Sequence, residues 1–218
     1  MLAYKTGNID NYLQQIRLAL QNGKSPDIAA ALAVYGYDAA KLSAGDPLLA
    51  AAEALQAVQK KEYSEQYAAT TALGEAWQAA DKTYSTHRKL AKLALRDEPD
   101  DQKALMLHEP KSKTLDPWMG QAGVFYKNLL ESPEMLAALA VYNITEAILI
   151  AARDAVVQVA GFNGDQEREK SEAQKATKTR DTALDALDVW YSEFRTLARI
   201  ALEDDPQMLE ALGLGTVA

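Results

Sequence analysis

Between residues 48 and 94 the apolar side chains fall on one stripe. Positions 48, 52, 55, 59, 62, 66, 69, 73, 76, 80, 83, 87, 90 and 94 alternate steps of four and three, and Leu and Ala fill most of them. A heptad register held this long predicts one long helix packed along a seam. Unbroken, it would run about 70 Å at 1.5 Å per residue. The spacing returns at Ala155, Val159 and Phe162 and continues through Leu187, Trp190, Phe194 and Leu197 to Ala201. There "GFNGD" at 161–165 predicts a distortion or short loop, with a helical hairpin as the alternative. Each long helix should stop just before Pro99 or Pro206, because proline restricts the residue preceding it.

Shorter elements flank these two. A helix over about residues 8–22 ends at Gly23, and Ser25-Pro26 is a cap followed by proline at the first helical position. The helix starting there stops near Gly36, and Asp38 is placed to start another. Asp46-Pro47 reads as a further start, or as a kink in a helix already running. "PDDQKALML" and "PQMLEALGL" predict short closing helices, and "HEPKSKTLDP" at 108–117 reads as a linker.

Shifting the chain by 107 positions aligns its halves without a gap. "AALAVY" occurs at 30–35 and at 137–142, and D-x2-Y-S-x2-R-x-L-A-x2-A-L-x-D-x-P runs from Asp81 to Pro99 and from Asp188 to Pro206. This is an internal repeat. The expected fold is all-α: a helical repeat over 1–107 and a second over 108–218, packed into one structural unit and related by a pseudo-two-fold. The long helices would lie antiparallel, and the short ones would cover their flanks.

"LARIALEDDPQMLEALGL", which closes the chain, and "QAGVFYKNLLESPEML", which opens the second repeat, resemble a group of bacterial all-helical proteins that carry no assigned function. The resemblance covers nearly the whole chain. It implies a bacterial source and brings no activity, ligand or catalytic residue with it.

Composition narrows the chemistry. The absence of cysteine excludes disulfides, thiolate metal sites and cysteine nucleophiles, and fits a reducing, cytoplasmic setting. The first residues lack the pattern of a secretory signal. The most apolar segment, 135–162, carries Glu146, Arg153 and Asp154, too many charges for a lipid span. Net charge is −8, with 12 basic and 13 acidic residues in 1–107 against 11 and 18 in 108–218. Such a balance repels a phosphate backbone, so nucleic acid is not an expected partner; the charges in the apolar segment leave no membrane expected either. One local basic run, from His87 and Arg88 through Lys89 and Lys92 to Arg96, falls at the end of a helix, where cations complement the macrodipole.

Two sets of residues are candidates for contact or binding. Asp81, Tyr84 and Arg88, with Asp188, Tyr191 and Arg195, share a stripe beside the seam. In an antiparallel pair Arg88 would reach Asp188 and Arg195 would reach Asp81; otherwise the stripe is a solvated surface. Gln59, Glu62, Gln166 and Glu169 form a polar layer on the seam itself, where unpaired polar groups cost stability. Glu62 and Glu169 could carry a metal-dependent reaction, but bundle carboxylate sites use Glu-x-x-His, which neither His87 nor His108 completes, so no metal or cofactor is expected. His87 stands where the other copy has Phe194, a packing position. The aromatics Tyr63, Tyr67, Trp77, Tyr84, Trp190, Tyr191 and Phe194 are core at helical spacing, or line an apolar pocket. No P-loop, GxGxxG or GxSxG pattern is present. The leading expectation is a non-enzymatic helical interaction or scaffold module with an unidentified protein partner, and a homo-oligomer is compatible with it. The alternatives are a carrier of a small apolar ligand and, last, the carboxylate metal enzyme.

Overall fold

The computed structural model describes residues 7–215, and every regular element among them is a helix. In chain order these are α1 (Ile9–Gly23), α2 (Pro26–Val34), α3 (Ala39–Ser43), α4 (Gly45–Ala94), α5 (Pro99–Ala104), α6 (Leu115–Glu131), α7 (Pro133–Ala140), α8 (Glu146–Ala201) and α9 (Pro206–Ala211). None of them is long and apolar enough to cross a membrane. The reading of a missing secretory signal rests partly on residues 1–6, outside the described residues.

The predicted starts and stops operate locally. Asn8 caps α1 by accepting from the backbone N–H of Asp10 and Asn11, and Asp38 caps α3 through Lys41 N–H. Pro26, Pro99, Pro133 and Pro206 open their helices, where the missing N–H costs nothing. Pro47 also lies in a first turn, so Asp46-Pro47 is a start and not a kink. The same tolerance moves a boundary: Pro117 belongs to the first turn of α6, and the linker ends at Thr114.

Both long helices are continuous. α4 spans 50 residues and α8 spans 56, so the distortion or loop expected at 161–165 is absent. A Cβ at Gly161 or Gly164 would meet open space, and nothing there favours a bend. Two glycines cost about 1 kcal/mol each against alanine, and a helix already propagating on both sides absorbs that.

The chain divides into two compact units. The first consists of residues 1–63 and 172–218, the second of 64–171, and α4 and α8 contribute to both. Each unit therefore draws helices from both halves of the sequence. In the first, Leu13, Ile16, Leu20, Leu32, Leu42 and Ala52 bury against Leu184, Leu187, Tyr191, Phe194, Ala198 and Leu202. α4 and α8 pack there in opposite directions: Gly45 lies against Trp190, while Leu55, Val58 and Glu62 share a cleft with Thr179, Ala176 and Glu172.

The second unit has its own core. Ala80, Tyr84, Ala91, Leu95 and Leu105 bury against Trp118, Phe125, Tyr126, Leu139 and Val159. Of the seam positions predicted on α4 only Thr83 is exposed. The most buried stripe of this part of α4 is its neighbour, with Tyr84 and Ala91 at 0 % exposure. Flanking helices cover that side, which one helix's periodicity does not report.

Candidate functional site

The repeated Asp-Tyr-Arg stripe is a set of structural anchors inside each unit. In the first unit Asp188, buried at 5 % exposure, accepts a 2.6 Å hydrogen bond from the Tyr12 hydroxyl on α1. Burial, and then this bond to the carboxylate, push the Tyr12 phenol far above its ordinary range. Tyr191 is fully buried, edge-on to Tyr12. The Arg195 guanidinium lies 5.0 Å from the Tyr191 ring centroid, and its Nη2 donates to Ser192 Oγ.

In the second unit Asp81 accepts from Trp118 Nε1 on α6 at 2.7 Å and from Lys111 Nζ at 2.6 Å. Arg88 Nη2 donates to the carbonyls of Met106, Leu107 and Glu109. Met106 has a φ of 54°, a backbone conformation that L residues rarely adopt. Arg88 thus holds the chain where it leaves α5 in a costly turn.

These contacts give the stripe partners within each unit. Arg88 donates to backbone carbonyls and Arg195 to Ser192 Oγ. Each aspartate is met by an aromatic donor on the adjacent short helix. The stripe is not a solvated surface, since Tyr84, Arg88, Asp188 and Tyr191 are all buried. In both copies the tyrosine hydroxyl and the arginine Nε are buried without a hydrogen-bond partner.

The polar layer is half-buried at each position. Gln59 and Glu62 belong to the first unit, Gln166 and Glu169 to the second. Glu62 lies 3.8 Å from Lys61, and Glu169 lies 3.1 Å from Arg168 on the same helix. Gln56, at 8 % exposure, is the more buried amide; one step from a seam position, it shares a cleft with the Lys60–Asp10 and Arg17–Glu53 pairs.

His87 is 6 % exposed, its Nδ1 3.1 Å from the Tyr126 hydroxyl, and burial holds its pKa below the ordinary value. Trp190, Tyr191 and Phe194 are core residues, whereas Tyr63 and Tyr67 are 62 % and 72 % exposed and belong to no core. Val34, Tyr35, Val141 and Tyr142, the ends of the two "AALAVY" segments, are exposed as well. The exact repetition of that hexapeptide was the signal that could have singled them out. Comparison with family models, with curated proteins and with solved structures finds no match, so the functional reading rests on the chain's own residues.

Proposed function

We propose that the chain is a non-enzymatic helical interaction module in which a tandem duplication presents one apolar knob twice. The observation that carries this is the exposure of Val34 and Val141, 79 % and 78 %, each followed by an exposed tyrosine. Identical residues repeated within a chain are ordinarily explained by packing, and these do not pack. The recurrence of helix ends at an offset of 107 supports the duplication: α5 and α9 correspond at both ends, and α4 and α8 at their C-termini. Positive-φ residues recur likewise, Gly36 with Asn143 and Met106 with Gly213.

A Val-Tyr pair at a helix end offers an apolar contact with a polar hydroxyl tip, suited to a socket on a protein partner. Two copies raise retention through effective concentration without adding any new contact. The test is recovery of bound protein from native lysate with the chain immobilised. Val34→Asp or Val141→Asp alone should weaken retention, and the double substitution should abolish it while circular dichroism and thermal midpoint stay unchanged. Undiminished recovery by the double variant would refute the reading.

A further inference from the structure

The protein carries a net charge of −8, yet one cleft in the second unit is basic. It measures about 290 Å³ and is lined by Ser85, Arg88, Lys89, Lys92, Glu109 and Lys111. Four cations line it with one carboxylate, Glu109, and a second carboxylate, Asp81, pairs with Lys111 from outside the lining. The lining residues reach the cleft from two segments: Ser85 to Lys92 from the end of α4, Glu109 and Lys111 from the linker after α5.

The cleft is partly built in advance. Arg88, 6 % exposed, is fixed by its three carbonyl acceptors. Lys111 Nζ is held by both Asp81 carboxylate oxygens and by Ser85 Oγ at 3.0 Å. Lys89 and Lys92 are exposed and make no ion pair among the described residues, although acids outnumber bases in the chain. The negative end of the α4 dipole accounts for Lys92 in the last turn. It does not account for Lys111, which arrives from outside the helix.

We propose that this cleft binds a compact phosphate-bearing small molecule. Several ammonium groups beside a buried guanidinium and a hydroxyl suit a multiply charged anion with many acceptor oxygens better than a single carboxylate. The volume admits more than one phosphate group. At matched positions the first unit keeps Arg195 and Arg199 for Arg88 and Lys92 but has Thr196 for Lys89, so the full cation set is not repeated there.

Titration calorimetry of the full chain with inorganic pyrophosphate, at constant ionic strength set by sodium chloride, tests this. One saturable site is expected. The Lys89→Ala/Lys92→Ala double variant, at two exposed positions and with an unchanged thermal midpoint, should bind at least about tenfold more weakly. Glu109→Gln, which removes the carboxylate lining the cleft, should tighten binding, and Arg199→Ala in the first unit should leave it unaltered. Absence of saturable binding to the unmodified chain, or equal affinity in the double variant, overturns the proposal.

Discussion

In the first unit the aromatic mass rides on the long helix, and in the second it rides on the short one. Trp190, Tyr191 and Phe194 of α8 stack with interplanar angles of 10°, 16° and 21°. Tyr84 of α4 instead stands edge-on to Trp118 and Phe125 of α6, at 87° and 79°. At the 107 offset Trp190 corresponds to Thr83 and Phe194 to His87, while Trp118 and Phe125 correspond to Asn11 and Leu18. The short helices also bury different faces. Tyr12, Ile16, Ala19 and Gly23 are buried on α1, whereas Trp118, Ala122, Phe125 and Leu129 are buried on α6, each one position earlier at that offset. One residue is about 100° of helix rotation. The aromatic donor to the repeated aspartate shifts with it, from position 12 to position 118. Repeated sequence therefore secures helix ends and the aspartate anchor, while each unit solves its packing separately.

The sharpest way to break this comparison is at Gly45. A Cβ there would sit 2.5 Å from the Trp190 ring, a rigid neighbour, whereas the matching position in the second unit is already alanine, Ala152. Gly45→Ala should cost about 3 kcal/mol by overpacking, read as a lowered denaturation midpoint. In a Trp190→Ala background the same substitution should cost much less, a coupling that a double-mutant cycle isolates. Additive effects would mean that the ring is not what demands glycine.

The aspartate anchors come next. Tyr12→Phe removes the hydroxyl donor and leaves the buried Asp188 carboxylate unmet, an expected loss of about 1.5–3 kcal/mol. In the second unit Trp118→Phe takes the indole donor from Asp81, but the two Lys111 bonds remain, and Asp81 is 32 % exposed. Its polar share of the loss should be under about 1 kcal/mol, the rest reflecting ring size. Chemical denaturation of both variants measures the difference. Equal polar losses in the two units would undo the distinction between a buried single anchor and a half-exposed double one.

The long helices were legible because their signal is repeated over many turns: an error at one position, such as exposed Thr83, leaves the stripe intact. Proline stops were legible because the constraint is local and steric. The glycines at 161 and 164 misled because a local cost near 1 kcal/mol each was weighed without the helix on either side. The aspartates' partners within each unit were not legible, for a different reason. Tyr12, Trp118 and Lys111 come from short helices and a linker whose rotation leaves no mark in periodicity. The basic run at 87–96 was visible as composition, but its cleft needs Lys111, brought in by the turn at Met106.

His87 gives the smallest effect and separates the units by pH. Its matched residue is Phe194, so burial of a titratable ring at this position is confined to the second unit. Burial lowers its pKa in the folded chain, while the unfolded chain protonates near the ordinary value of about 6.5. The unfolded state thus takes up the proton first. Stability from the neutral, buried ring is fully present above pH 6.5 and falls away as pH drops below it. Thermal midpoints between pH 7.5 and 5.5 should decline more steeply for the natural chain than for His87→Phe. At neutral pH the variant gains apolar burial but deprives the Tyr126 hydroxyl of its partner, so the slope with pH, rather than the absolute midpoint, is the readout. Parallel slopes would mean that His87 meets water in the folded chain, and that the second unit's core at this position is open where the first is closed by Phe194.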